Sequence, residues 1–113
     1  MAQALESITI AKTPLCLVGH THIPSLFVEH ESGVPEVRYM PGGSSGPVTR
    51  CIVNPGSVGQ PRDRDQRAAY LVFDTDANEL SWRRVEYEIA KVQKHMRKLG
   101  LPMFLIERLA YGV

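Results

Sequence analysis

The sequence predicts an α+β fold in which five or six strands precede two C-terminal helices. Short apolar runs alternate with glycine- and proline-containing turns along residues 15–85, which is typical of strands. After residue 85 the apolar spacing changes to three and four residues, which is typical of an amphipathic helix. The chain has 113 residues, the size of one small domain or of part of a larger one.

Each element follows from a local pattern. A weak helical pattern over residues 2–11 is broken by Pro14. Leu15–Val18 is a continuous apolar run, as in a strand buried on both faces. A first helix is expected from Ile89 to Leu99, with its apolar stripe packed into the core and Gly100 at its end. A second helix is expected over residues 103–109. The remaining strands are expected to be mostly antiparallel and to lie at residues 25–30, 36–40, 48–53, 68–74 and 79–85. Segment 41–47 is expected to be a flexible loop.

Composition and charge narrow the function classes. The chain is 43% hydrophobic and 22% charged, as in globular proteins that bury a core. Its net charge of +1 does not favour a nucleic-acid partner. No apolar run reaches the roughly 18 residues of a membrane span, and no signal-like leader is present. Two cysteines inside apolar runs are expected to be reduced, which favours a cytoplasmic location.

Two histidines at spacing i and i+2 follow the first predicted strand, in the segment Gly19-His20-Thr21-His22. Neutral imidazole is the commonest protein ligand for divalent transition metals. A strand end can present both rings to one side, and the glycine leaves room for a metal or a neighbouring loop. His20 and His22 are therefore candidate metal ligands, and two solvent-facing loop histidines are the competing interpretation.

A structural zinc site is another interpretation of the same segment. Cys16 shares the strand parity of the two histidines, and Cys51 lies in another predicted strand, so a Cys2His2 site is conceivable. The spacing is not that of a zinc finger. The apolar neighbours of both cysteines favour small core residues instead.

A loop rich in glycine and proline follows a later strand. Its glycines can expose backbone amides to an oxyanion, and its serine, glutamine and arginine side chains add donors. The competing interpretation is a rigid turn in which Arg62 and Asp63 form a surface ion pair of small energy. The loop has the sequence Asn54-Pro55-Gly56-Ser57-Val58-Gly59-Gln60-Pro61-Arg62-Asp63.

Together, the Gly-His-Thr-His segment, the loop at residues 54–63 and the segment Arg67-Ala68-Ala69-Tyr70 resemble the C-terminal half of calcineurin-like metallophosphoesterases. The tail at residues 99–112 resembles the bacterial and archaeal single-domain branch of that family. The resemblance implies half of a four-layered αββα sandwich, here one mixed, largely antiparallel sheet plus helices. Residues 1–113 would be a partial domain, and residues 86–113 its helical segment.

The resemblance also implies metal-dependent hydrolysis of phosphodiesters or phosphomonoesters. In that family two divalent metals, Mn²⁺, Fe or Zn²⁺, hold a bridging hydroxide. His20 would bind one metal and His22 the other. The phosphate-ester substrate would lie near a set of loop residues, which are Asn54, Gly56, Ser57 and Arg62.

Several motifs of the family are absent from this sequence. They are Asp-x-His, Gly-Asp-x-x-Asp, Gly-Asn-His-Asp/Glu and a further histidine ligand, which supply most metal ligands and the general acid. No general acid is therefore assigned in this chain. We expect a truncated product with low or no activity by itself, and an uncovered sheet face that favours self-association into a homo-oligomer. The alternative function is a non-catalytic interaction scaffold with the same fold.

Overall fold

The computed structural model describes residues 6–7, 10–29 and 35–113. Within them the chain forms strands and then helices, which confirms the predicted α+β class. The helices are α1 (Ile89–Lys98), α2 (Met103–Glu107) and a 3₁₀ helix (Arg108–Ala110). The strands are β1 (Leu15–Leu17), β2 (Ser25–Glu29), β3 (Pro35–Tyr39), β4 (Gly43–Pro47), β5 (Cys51–Asn54), β6 (Ala68–Asp74) and β7 (Glu79–Val85).

The described strands divide between two sheets, where the sequence indicated one. The first sheet has the order β1-β5-β2-β3, in which β1 and β5 run parallel and the other pairs are antiparallel. The second has the order β4-β7-β6 and is antiparallel. The chain crosses between the sheets after β3, after β4 and after β5. The two sheets therefore enclose one interior.

Strand β4 is the main difference from the predicted elements, because residues 41–47 were expected to form a flexible loop. Its glycine- and serine-rich sequence has low strand propensity, but its backbone pairs with β7. Ser45 Oγ also accepts a hydrogen bond of 3.1 Å from the backbone N–H of Leu80. The strand predicted at residues 48–53 begins only at Cys51, because residues 48–50 cross between the sheets.

The core lies between the two sheets. Leu26 and Val53 of the first sheet and Leu80 and Trp82 of the second are buried and belong to one apolar cluster. The indole Nε1 of Trp82 donates a hydrogen bond of 3.1 Å to the backbone carbonyl of Asn54. The core therefore extends to the carboxyl end of β5, where the polar loops begin.

The C-terminal helices follow the second sheet. Gly100, with φ of 70°, ends α1 as predicted, since glycine adopts the left-handed conformation of a helix C-terminus. The apolar stripe of α1 was expected in the core, but α1 contains no buried residue. Instead α1 contacts α2, and the Gln93 side chain donates a hydrogen bond of 2.8 Å to the Ile106 carbonyl. Helical spacing identifies an apolar side but not what covers it.

Strand β1 was predicted to be buried on both faces, but Leu15 and Cys16 are only half-buried and Leu17 is exposed. It pairs with β5, and none of the described residues pairs with its other edge. Leu17 is exposed, although its register partner Val53 is fully buried. The apolar run therefore correctly indicated a strand, but not its burial on both faces.

Two predicted segments fall largely outside the described residues. Of the helix expected over residues 2–11, Glu6, Ser7 and Ile10 are helical. The turn between β2 and β3, including His30, lies outside them. In the part of the chain that is described, no helix has the length and apolar character needed to cross a membrane.

Replacing Leu80 by alanine should lower the free energy of unfolding by about 2–5 kcal/mol, because a fully buried leucine leaves a cavity in the core. Urea denaturation followed by the fluorescence of Trp82 measures this loss. Val37→Ala is the matched control on exposed strand β3 and should cost less than about 1 kcal/mol. Equal losses for the two variants would contradict the position assigned to the core.

Candidate active site at the strand ends

Two loops meet at the carboxyl ends of β1 and β5. Residues 18–24 form the histidine loop, which follows β1, and residues 55–67 form the glycine loop, which carries the chain from β5 to β6. Because β1 and β5 are parallel neighbours, both loops leave the same end of the sheet. The segments that the sequence indicated as functional are therefore brought together.

Asn54, the last residue of β5, holds the two loops together. The residue is buried, and its Nδ2 donates hydrogen bonds to the Gly19 carbonyl at 3.1 Å and to Thr21 Oγ1 at 2.9 Å. Its Oδ1 accepts a hydrogen bond of 3.0 Å from the backbone N–H of Gly56. Since leaving a buried polar group unpaired costs about 1–3 kcal/mol, these bonds stabilise one arrangement of the loops. Asn54 is therefore a positioning residue for the histidine loop.

His22 is half-buried against the glycine loop. Its Nδ1 lies 2.7 Å from the backbone carbonyl of Gln60. A carbonyl can only accept, so Nδ1 carries the proton and Nε2 of the neutral ring keeps its lone pair. Metal-binding histidines commonly have this arrangement, in which the second ring nitrogen donates to a carbonyl and orients the ring. The tautomer of His22 therefore fits a metal ligand.

Both histidines adopt a left-handed backbone conformation. The φ angles are 76° at His20 and 62° at His22, in a region where histidine is more common than most residues other than glycine. The prediction that one extended strand end presents both rings was wrong, since β1 ends at Leu17. Left-handed backbone costs roughly 1–2 kcal/mol per residue. The hydrogen bonds of Asn54 and His22 hold the loop in this conformation.

Gly56 is required by packing. Its φ is 90°, and a Cβ atom there would lie 2.8 Å from both the Ala69 and the Pro24 side chain. Its N–H is donated to Asn54, so it is not the free oxyanion donor that the sequence indicated. A Cβ at Gly59, by contrast, would meet nothing within 4 Å. The two glycines therefore have different roles.

Ser57 and Gln60 of the glycine loop order the side chain of Arg62. Ser57 Oγ accepts a hydrogen bond of 2.9 Å from the Gln60 N–H. The Gln60 side-chain oxygen accepts two from the Arg62 guanidinium, at 2.7 and 3.2 Å. The Arg62 backbone N–H donates to the His22 carbonyl at 3.3 Å. An exposed guanidinium is thus held beside the histidine loop, and such a group can bind phosphate oxygens.

A buried ion pair anchors the glycine loop to the second sheet. The side chains of Asp63 and Arg84 are 2% and 4% exposed and contact each other directly. Asp63 also accepts a hydrogen bond of 2.8 Å from the Tyr39 hydroxyl. Burial, then the hydrogen bond to Asp63 and its charge, raise the pKa of Tyr39. The competing interpretation of this loop, with a surface ion pair of Arg62 and Asp63, was wrong about the partner, because Arg84 reaches Asp63 from β7.

The described residues do not by themselves complete a metal site. No group of three or more His, Cys, Asp or Glu side chains among them lies close enough to hold an ion. The ligands expected from the sequence are the two imidazoles of His20 and His22. This is too few for a pair of divalent cations, each of which needs about four or more ligands.

The two cysteines do not join the histidines. Cys16 is in register with Ile52 and Cys51 with Leu15, which places the two thiols on opposite faces of the sheet. Cys51 begins β5, whereas the histidine loop lies beyond its other end. Burial, and to a smaller extent Cys16, raises the pKa of Cys51 to about 11, so this group is a protonated thiol at neutral pH. The Cys2His2 interpretation is therefore excluded.

Gly56→Ala should lower the free energy of unfolding by about 2 kcal/mol or more, because the new methyl group would collide with both neighbouring side chains at a positive φ. Gly59→Ala is the matched control and should change it by less than about 1 kcal/mol. Urea denaturation of both variants measures the difference. Similar midpoints would show that the contact between Gly56 and Pro24 does not constrain the loop.

Asp65 should make stability depend on acidity. Hydrogen bonds from the Arg67 guanidinium lower the pKa of Asp65 to about 2, below the ordinary aspartate value of about 3.9. A depressed native pKa stabilises the fold above about pH 4, and this contribution is lost as the pH falls towards 2. Urea denaturation at several pH values measures the difference in free energy of unfolding between the wild type and Asp65→Asn. The wild type should be the more stable protein at pH 5, and its advantage should become smaller at each step down to pH 2. A constant difference would contradict this account.

Comparison with known proteins identifies the family of this chain. The calcineurin-like phosphoesterase superfamily domain matches residues 1–78, which contain both loops. An uncharacterized protein of Methanocaldococcus jannaschii is 40% identical in an alignment of 103 positions, which covers 87% of this chain and 39% of that protein. The crystal structure of a metallophosphoesterase from Sphaerobacter thermophilus superposes with a TM-score of 0.88 and 46% identity, covering 99% of this chain and 48% of that chain.

The chain thus spans less than half the length of both relatives. The likeness to the Sphaerobacter thermophilus enzyme extends over nearly all of the present chain, so its two sheets and helices correspond to about half of that structure. The resemblance seen in the sequence is confirmed. The chain belongs to the calcineurin-like phosphoesterase superfamily.

Proposed function

We propose that this chain supplies the histidine part of a metal-dependent phosphoesterase site that hydrolyses phosphodiesters or phosphomonoesters. The observation that carries the proposal is the 2.7 Å contact between His22 Nδ1 and the Gln60 carbonyl. It leaves the Nε2 lone pair free for a ligand bond, on a loop whose backbone conformation is costly. Membership of the phosphoesterase superfamily supports the class of reaction.

His20 and His22 are the proposed metal ligands, one for each of two ions. Imidazole suits Mn²⁺, Fe and Zn²⁺ to different degrees, and the choice of metal is part of the proposal. When bound, such a pair of ions generates a hydroxide nucleophile and neutralises phosphate oxygens. The described residues contribute no third ligand group, so no catalytic step is assigned to the chain alone. We expect the chain by itself to have little or no activity.

The other residues of the site have supporting roles. Arg62 is proposed to bind a phosphate oxygen of the substrate, because its guanidinium is exposed beside the histidine loop. Asn54, Gly56 and Ser57 are proposed to lie near the substrate as positioning residues. Their polar groups are already used within the two loops, as the hydrogen bonds of Asn54 Nδ2 and Ser57 Oγ indicate.

The proposed function also indicates the binding partner of the chain and its location in the cell. A phosphate-ester substrate fits an exposed arginine beside two imidazoles. The net charge of +1 does not favour nucleic acid. Cys16 and Cys51 are free thiols, which supports the cytoplasmic location expected from the sequence.

A chimera tests the proposed function. This chain replaces the matching half of the Sphaerobacter thermophilus metallophosphoesterase, and hydrolysis of p-nitrophenyl phosphate and bis(p-nitrophenyl) phosphate is measured with Mn²⁺ or Zn²⁺. We expect metal-dependent hydrolysis that His22→Ala lowers by at least about 100-fold, because one metal loses a ligand. His95→Ala, on exposed helix α1, is the matched control and should retain the rate.

The outcome separates the candidate functions. Loss of bound metal and of hydrolysis in His22→Ala, with both retained in His95→Ala, supports the enzyme. An unaffected rate in His22→Ala contradicts the role of this histidine. A folded chimera that binds no metal and hydrolyses neither ester favours the non-catalytic scaffold.

A further inference from the structure

Positive charge is concentrated in the helical segment, residues 89–113. This segment has five lysine or arginine residues and one glutamate, whereas residues 1–88 have eight basic and eleven acidic residues. The helical segment therefore carries a formal charge of +4 and the remainder of the chain −3. Such an asymmetry within one chain indicates a surface for an anionic partner, although the net charge of the whole chain is small.

Helix α1 carries most of this charge. Its ten residues contain no acidic side chain. Lys91, Lys94 and Lys98 follow one another at spacings of three and four, so they lie on one side of the helix, where like charges repel each other. Lys91 pairs with Glu88 at 3.1 Å, but Lys94, Arg97 and Lys98 form no ion pair with any residue that the structure describes. These three cations are therefore available to a partner.

An exposed apolar segment follows directly after these cations. Residues 99–104, here called the apolar tip, connect α1 to α2 and have the sequence Leu-Gly-Leu-Pro-Met-Phe. All six residues are exposed, and the most exposed are Leu99 and Phe104, at 64% and 65%. Single apolar side chains on a surface are common, but a contiguous group of them usually marks an interaction site. The apolar tip and the basic side of α1 therefore form one amphipathic surface.

The residues after the apolar tip attach it to the rest of the fold. Ile106 and Leu109 are buried. The Arg64 N–H in the glycine loop donates a hydrogen bond of 2.8 Å to the Gly112 carbonyl, and a Cβ atom at Gly112 would lie 2.8 Å from the Asp65 backbone. The tip is thus presented by a packed segment. Little conformational entropy would be lost when it binds, because its backbone is already ordered.

The combination of cations and apolar side chains favours a membrane surface over nucleic acid. Cations alone would bind any polyanion, but the phosphate backbone of nucleic acid offers no contact for an aliphatic tip. Amphipathic helices that have lysine and arginine on one side and leucine or phenylalanine on the other lie in the interface of a bilayer. Anionic head groups attract basic side chains beside such a helix. The long stems of Arg97 and Lys98 allow their charges to reach head groups while Leu99 is buried.

We propose that the helical segment binds the chain peripherally to a bilayer that contains anionic phospholipids. The apolar tip enters the boundary between head groups and acyl chains, and Lys94, Arg97 and Lys98 contact the head groups. Charge complementarity and the exposed tip carry this proposal. It goes beyond the proposed function, because it involves neither the two histidines nor hydrolysis of a phosphate ester.

Vesicle sedimentation with the full chain tests the proposal. One set of vesicles contains phosphatidylcholine alone, and a second set contains phosphatidylcholine with about 30% phosphatidylserine. We expect binding to the second set that is at least about tenfold tighter than binding to the first, because the cations add an electrostatic attraction to burial of the tip. Raising sodium chloride to about 0.5 M should reduce this preference, because salt screens the head-group charge.

A pair of double variants tests the role of the cations. Lys94→Gln with Lys98→Gln should weaken binding to the phosphatidylserine vesicles at least about tenfold, because each cation near an anionic surface adds to the affinity. Lys12→Gln with Arg83→Gln is the matched control. It removes the same charge from two exposed positions outside the helical segment and should retain most of the binding.

A pair of single variants tests the role of the apolar tip. Phe104→Ser should weaken binding at least about fivefold, because the tip loses its aromatic side chain. Val37→Ser is the matched control, since Val37 is exposed on β3 and lies outside the helical segment. All the substituted side chains are exposed, so the variants are expected to remain folded, and urea denaturation checks this.

Several results would overturn the proposal. Equal binding to the two sets of vesicles, or no binding to either, contradicts the anionic surface. Binding that both Phe104→Ser and the Lys94 and Lys98 variant leave unchanged assigns the lipid contact to another part of the chain. Tight binding to duplex DNA that Phe104→Ser leaves unchanged, without binding to vesicles, favours nucleic acid. A dimer that binds no vesicles and that Phe104→Ser dissociates, measured by light scattering, assigns the tip to a second copy of the chain.

Discussion

The buried side-chain amide of Asn54 is the interaction on which the site depends. It ends a core strand, so its position is set by the packing of the two sheets, and its three hydrogen bonds set the path of both loops. The indole of Trp82, in the second sheet, donates a hydrogen bond to the backbone carbonyl of Asn54. Asn54 therefore links the position of the histidine loop to the packing of the core, because leaving its buried amide unpaired would be costly.

The rest of the site is stabilised in the same way, by contacts made outside the two histidines. Left-handed backbone at His20 and His22 needs compensation, which the Gln60 carbonyl and the Asn54 amide provide. At the other end of the glycine loop, the buried pair of Asp63 and Arg84 ties the loop to β7. Strained loops that are held from both sides are typical of functional sites.

The carboxyl end of the first sheet carries two imidazoles, and no group of three or more metal-binding side chains forms among the described residues. Of the strands that the structure describes, β1 and β6 are edge strands that line one apolar groove. The chain spans less than half the length of both relatives that it matches. The apolar stripe of α1 is only partly covered by the described residues, since Ile89 and Met96 are half-buried and Val92 is exposed.

Local sequence determined the elements whose signals are local. Strands β6 and β7, the end of α1 at Gly100 and the two polar loops were all predictable, because alternation, helical spacing and turn residues act over a few positions. The other features depend on contacts between segments that are distant in the sequence. The glycine- and serine-rich β4 is a strand because β7 lies beside it, β1 is an edge because no described strand lies beyond it, and Asp63 binds Arg84 across 21 residues of chain. Such contacts join distant segments, so only the tertiary structure decides them.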